Sequence, residues 1–506
     1  MLIGVNQNTD DNKGQALPGL YCISKGAMEH LKSKAINGAT WNISLALANK
    51  GATTLGQFAL AWFLVPKDMG VANIAISVVA VVTVLSIGGI GDVLLQRGRY
   101  LEEASQGFWL SLIFTIFTII ILAVLSILHP IFKGENLKNF FLLMALAAFA
   151  ATPNTVLAVD LKRKMHFKQL AISRLSCGSA YTGAMVGLAW LGLGPYAIVA
   201  PLVLRQMVDS AVMLTCGARF RFAPPNIPVI REIFSPSIAL SISGLLSALQ
   251  TQAPVLICGY ALGAESTGFF SWGWALASQA VFLLAGNLRE VFFSAFANLP
   301  SEKGRREEAM LKAAWMMTAL LFVACGTQAF WARPLIVVFL PAKWLPAISV
   351  VIVASLGLLL QGMWVAGTAY LNANGRYRAL LVISIVQAAL VTGFTGVGAI
   401  RGGATGAAIG CALATLLGGI ICIWPIKRYI NLSQINKWVN PASVSAIVWA
   451  LLWIVTLKFQ FIWVQLLAGF LFLGISGFSW WKQDPGEFAT VWRGITGKLI
   501  SKKNFK

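Results

Sequence analysis

Apolar stretches of about twenty residues follow one another along this chain from Trp41 to Trp480, separated by short loops. A hydrocarbon core of about 30 Å takes about 20 apolar helical residues to cross, and inside it only helices or closed barrels satisfy their own backbone polar groups. Runs of this length predict an all-α polytopic membrane protein. Only 11% of the 506 residues are charged and 58% are hydrophobic, which leaves too little polar surface for a water-soluble chain of this size.

The formal charge of +21 is large enough to raise the question of nucleic acid. The distribution of the charge argues against it, because Lys and Arg gather in alternate short loops instead of along one face. With both termini on the cytoplasmic side, roughly 29 of the 39 basic residues fall inside and roughly 7 outside. That bias orients the chain in its membrane with both termini cytoplasmic, and no nucleic-acid partner is expected.

Hydropathy predicts about fourteen crossings, grouped as a cytoplasmic segment 1–40, a six-helix bundle 41–216, a cytoplasmic linker 217–237, a second six-helix bundle 238–424, two further helices within 425–481 and a basic cytoplasmic tail 482–506. The linker carries Pro224, Pro225, Pro228 and Pro236. Around it the halves echo each other. PKDMG at 66–70 is matched by AESTG at 264–268, and FKQLA at 167–171 by RYRAL at 376–380. Two parallel bundles facing across a central cavity are a common transporter plan.

Several polar residues fall where lipid should exclude them. Lys50 lies near the middle of the first span, with Gln57 two turns later, and a mid-helix Lys costs about 2.5 to 3.5 kcal/mol unless it faces a wet or paired interior. Contact with an anionic substrate and simple snorkelling both satisfy that requirement. Arg205 stands mid-span in helix six with Asp209 one turn later, spacing that predicts a self-neutralising pair with donors left for a phosphate. Arg289 and Glu290, near the cytoplasmic end of helix eight, carry the same ambiguity between pairing and substrate contact, and Asp209 and Glu290 are candidates for charge pairing or ion coupling. Gln250 and Gln252 precede Pro254, which should kink helix seven and free a carbonyl. Trp272, Trp274, Trp364 and Gln361 are candidates for a sugar-stacking path, against the commoner role of packing or belt residues.

Other chemistries lack their residues. No glycine-rich phosphate loop with Lys and Ser/Thr occurs, and His30, His129 and His166 are scattered without metal spacing. The cysteines show neither a zinc pattern nor a disulfide framework. No carboxylate pair suits acid/base work, so an enzyme is not expected; a polysaccharide polymerase or ligase remains as an alternative reading. No cofactor or metal is expected, while coupling to protons or sodium stays open.

Several motifs taken together resemble a known family. These are PKDMG at 66–70, IGGIGDVLLQR at 87–97, GFWL at 107–110, DLKRKMHF at 160–167 leading to Leu170 and Ala171, RPLI at 333–336 with Lys343 and Trp344, and LNANGR at 371–376. In this order and spacing they resemble the polysaccharide-transporter branch of the multidrug/oligosaccharidyl-lipid/polysaccharide exporter superfamily. The resemblance implies a Wzx-type flippase. Such a protein moves an undecaprenyl-pyrophosphate-linked oligosaccharide outward for surface or exopolysaccharide synthesis by alternating access, with membrane lipids, a polymerase and other assembly proteins as partners. It also implies that Lys50 occupies a position that relatives keep polar. Trp62 and Asp92 depart from the family pattern, where Arg and a small residue are common. A multidrug or small-metabolite exporter of the same fold is the nearest rival; a cationic interior argues against cationic drugs.

Overall fold

The structure, a computed structural model, describes residues 51–87, 89–127, 137–286, 292, 296, 305–424, 432–458 and 461–483. Among them every regular element is a helix. A helix over 51–63 (α1) leads into α2 (Pro66–Ile87), the short α3 (Ile90–Arg97), α4 (Tyr100–Ile127), α5 (Lys138–Arg163), α6 (Phe167–Trp190), the single turn α7 (Tyr196–Val199) and α8 (Pro201–Thr215). The second half holds α9 (Ile227–Leu262), α10 (Ala264–Val281), α11 (Arg305–Phe339), α12 (Ala347–Gly357), α13 (Gln361–Ala373) and α14 (Tyr377–Ile421). Two more helices follow, α15 (Leu432–Lys458) and α16 (Ile462–Gln483), and α16 lies along α11.

The outward faces show that the solvent is lipid. On α4 the exposed stripe is Ile113, Ile116, Phe117, Ile120, Val124 and Ile127, while Ser105, Gln106, Ser111, Thr115, Thr118 and Ser126 are buried. Such a helix is apolar outward and small or polar inward, which is how helices pack when lipid offers no hydrophobic drive to associate. The chain is therefore a multi-pass membrane protein.

Nine of the described helices are long and apolar enough to span a membrane, or ten if α12 and α13, bent by 47°, count as one. The expected fourteen is not reached on those criteria. Two of the runs that hydropathy reads as single crossings are broken, 71–94 between α2 and α3 before Gly89 and 347–370 between α12 and α13, whereas 196–216 holds as one span over Tyr196–Thr215. Conversely, α14 holds two expected crossings, because it folds back at Gly402 and Gly403. Gly403 takes φ +59, which a residue with a side chain adopts only with strain, and its two arms then pack backbone to backbone at Gly398 against Gly406. Helix α9 starts at Ile227, well before the expected 238, since Pro228 sits in its first turn, where no backbone N–H is needed.

The helix ends just before the matched segments 167–171 and 376–380 share a backbone form, one that the ends at Gly192 and Gly217 also take. The backbone N–H of Met165 donates to the Lys162 carbonyl and that of His166 to Leu161; Gly375 and Arg376 donate in the same way to Asn372 and Leu371. This pairs His166 with Arg376, one residue off the correspondence read from the letters.

Candidate substrate-binding site

The halves meet where α2 crosses α10. A Cβ on Gly70 would lie 1.7 Å from the Ala264 carbonyl oxygen, and one on Gly268 would lie 1.9 Å from that of Pro66. These glycines end the two matched segments 66–70 and 264–268, so the repeat seen in the sequence marks the seam. One turn further along, Asn73 Nδ2 donates to Ser271 Oγ at 2.9 Å. The end of α1 is tied to the second half as well: Trp344 Nε1 donates to the Ala61 carbonyl at 2.7 Å, and Lys343 Nζ to that of Trp62 at 3.0 Å. Burial pulls the Lys343 ammonium below its ordinary range, with the Asp68 carboxylate opposing.

Gln57 and Gln252 belong to this seam. Gln279 Nε2 donates to Gln57 Oε1 at 3.2 Å, and Ser77 Oγ donates to Gln252 Oε1 at 2.9 Å. Gln250 instead reaches the Ser384 carbonyl of α14 at 2.6 Å, within the second half. Trp272 is buried between Phe58 and Trp344, so its ring is not open to a sugar, while the half-buried Trp274 stacks on Phe270.

The polar residues of α5, α6 and α8 form a second group, inside the first half. The two latter helices run antiparallel: Ser173, fully buried on α6, donates its hydroxyl to the Asp209 carboxylate on α8, and further along the Arg205 guanidinium lies 5.8 Å from the centre of the Tyr181 ring. On the next face of α8, Ser210 donates to Asn154 Oδ1, and Asn154 Nδ2 donates to Gln206 Oε1 at 3.2 Å. The expected Arg205–Asp209 ion pair is not among the ion pairs of the described residues. Asp209 spends its carboxylate on Ser173, and the exposed Arg205 faces an aromatic ring.

Arg174 is the residue that hydropathy passed over. It is exposed on α6, seven residues from Phe167, or about 10 Å along the axis, while Arg205 is ten residues from Thr215 at the same end, or about 15 Å. The two guanidinium-bearing positions thus occupy neighbouring levels well inside the span. Lys50, Arg289 and Glu290 lie outside the described residues.

A third group ties the linker down at the end of α5. Asp160, only 1% exposed, accepts from Lys164 Nζ at 2.5 Å, Arg163 at 3.2 Å and the Arg219 backbone N–H at 3.0 Å. Ser105, Gln106 and Trp109 of α4 hold Ala223, Pro224 and Asn226 through five hydrogen bonds. Arg97 joins the halves there, with Glu103 on one side at 2.8 Å and Glu232 of α9 on the other at 2.6 Å, and both carboxylates raise its already high pKa.

No group of three or more metal-ligating side chains occurs among the described residues. What the arrangement offers is cation and amide chemistry suited to binding, around a seam between two like halves. Residues 59–349 match the profile of a family described as polysaccharide biosynthesis protein. The chain belongs to that family. As a polysaccharide biosynthesis protein it is 22% identical over 399 residues to the succinoglycan biosynthesis transport protein ExoT of Rhizobium meliloti (strain 1021), covering 77% of this chain and 80% of the relative. Its fold is shared with lipid II flippase MurJ in an inward closed conformation, at a TM-score of 0.68 and 13% identity over 87% of this chain and 98% of that one. An inward-facing multidrug resistance MATE family transporter of the MOP superfamily matches at a TM-score of 0.57 and 16% identity, over 77% and 98%. This polysaccharide biosynthesis protein therefore has the fold of the multidrug/oligosaccharidyl-lipid/polysaccharide exporter superfamily, and its relatives are transporters.

Proposed function

We propose that the protein is a flippase that carries an undecaprenyl-pyrophosphate-linked oligosaccharide from the inner to the outer leaflet of a bacterial cytoplasmic membrane, by alternating access of its two halves. Both termini are then cytoplasmic. The observation that carries this reading is family membership in polysaccharide biosynthesis on a fold shared with a lipid II flippase. Arg205 supports it, as a mid-span guanidinium beside an aromatic ring whose donors suit a phosphate. Lys50, Arg289 and Arg174 add positive charge for the pyrophosphate, and Gln57, Gln250 and Gln252 line the path or brace it. In a cell negative inside, outward movement of an anion gains about 2.3 kcal/mol per charge per 100 mV, so the potential alone assists the step. Asp209 and Glu290 are the carboxylates available for proton or sodium coupling.

Reconstitution of the full chain with a fluorescent lipid-linked oligosaccharide tests this. Translocation without covalent change is expected; chain extension points to a polymerase or ligase, and drug efflux without translocation to a multidrug exporter. Within that assay, Lys50→Gln and Arg205→Gln are each expected to slow flipping about tenfold at unchanged membrane insertion, the scale of one lost charge-assisted contact. Normal rates in both variants remove these cations from the mechanism.

A further inference from the structure

We infer that the seam between α6 and α8 is a binding site for the isoprenoid chain of a polyprenyl phosphate, with Arg205 at its inner end taking the phosphate. The inference rests on the flippase reading and adds to it where the lipid part of the substrate lies: along the flank of the first half, not in the bilayer between the halves.

The seam has two chemistries in sequence. A groove of about 500 Å³ is lined by Ala184, Gly187, Leu188, Leu191, Pro201 and Leu204, all apolar, and its volume is in the range of small-molecule sites. Tyr181, Ala184, Leu188 and Leu191 stand at i, i+3, i+7 and i+10 of α6, so the face that lines the groove continues one turn deeper to Tyr181. There the Arg205 guanidinium, one position past the lining Leu204, lies over the ring. The Tyr181 hydroxyl is taken up by the Ile198 carbonyl at 3.3 Å, which fixes the ring as a platform.

A guanidinium at this depth is costly in hydrocarbon, and no described carboxylate pairs with it. Gly187 keeps the groove open, since a Cβ there would meet no atom within 4 Å. A ligand that fits both parts has a long apolar chain and an anionic end. Bulk acyl chains satisfy the groove but bring no counter-charge to a guanidinium whose neighbours are the Tyr181 ring and the Cys177 thiol, whereas a polyprenyl phosphate answers both. A headgroup held at mid-depth with its chain along this flank is a carrier lipid part-way across.

The test uses full-length protein in nanodiscs and an undecaprenyl phosphate with a photoreactive diazirine in its chain. Labelling is expected in peptides spanning 184–191 and 200–204, and it should be competed by plain undecaprenyl phosphate but not by equal phosphatidylglycerol. Gly187→Leu adds a side chain at a groove position where a Cβ meets no atom within 4 Å and should cut labelling about tenfold; Gly396→Leu, equally open at its Cβ but on α14, should not. Arg205→Gln should weaken competition about tenfold without moving the labelled positions. Labelling spread over all outer helices, competition by phosphatidylglycerol, or indifference to Gly187→Leu overturns the site even if the wild-type protein flips lipid-linked oligosaccharide. Groove labelling in a protein that flips none overturns the flippase reading and leaves the polyprenyl phosphate site in place.

Discussion

Gly70→Ala is expected to lower the thermal midpoint of the solubilised protein sharply, by the upper part of the roughly 1 to 3 kcal/mol that overpacking costs, or more. The added methyl would stand 1.7 Å from a backbone carbonyl oxygen and 2.5 Å from its carbon, so no side-chain rotation relieves it. Only separation of α2 from α10 does, and that loosens Asn73–Ser271 and the packing of Ile74 and Trp272 around it. Gly268→Ala should behave alike, since its methyl meets the Pro66 carbonyl at 1.9 Å. Because one separation relieves both clashes, the double variant should cost little more than either single one, a strongly non-additive cycle. Additive losses, or an unmoved midpoint in Gly70→Ala, contradict the tight crossing.

Asp160→Ala should cost about 3 kcal/mol, the lower end for breaking a buried ion pair. The carboxylate is enclosed, but its partners Arg163 and Lys164 are about one-third exposed and regain water when it is gone. The backbone N–H of Arg219 loses its acceptor as well, so the linker should come away from α5. Trypsin reads this directly: cleavage after Arg219 and Arg221 should accelerate in folded Asp160→Ala. Asp160→Asn, which keeps an oxygen for Arg219 but not the charge, should fall between. A linker as resistant as wild type in the alanine variant removes Asp160 from this role.

The helical membrane class and the superfamily were legible in the letters, because apolar runs of bilayer length have few other uses and motif order carries family information. Direction was not. Gln57 and Gln252 are recognisable as polar residues that need partners, yet those partners lie 222 and 175 residues away. Trp272 is a stacking candidate in the letters beside the commoner packing role, and it is core. The Arg205–Asp209 spacing reads as a pair, but Ser173, on another helix, claims the carboxylate. The break at Gly89 escaped for a related reason: hydropathy averages over a window, and this glycine at φ +82 alters the backbone without altering the average. The short match between 66–70 and 264–268 looked slight as text and marks the tightest contact between the halves, because what is shared there is the absence of a side chain.

That crossing has the self-complementary form of a two-fold homodimer contact written into one polypeptide: the first position of each segment touches the last position of the other. Such a contact has no preferred side. A tilt about it spreads the helix ends apart on one face of the membrane as it draws them together on the opposite face, and the reverse tilt meets equivalent atoms. In the alternating-access cycle proposed above, this pivot would therefore add little bias between the two orientations, leaving ligand and membrane voltage to set which one prevails.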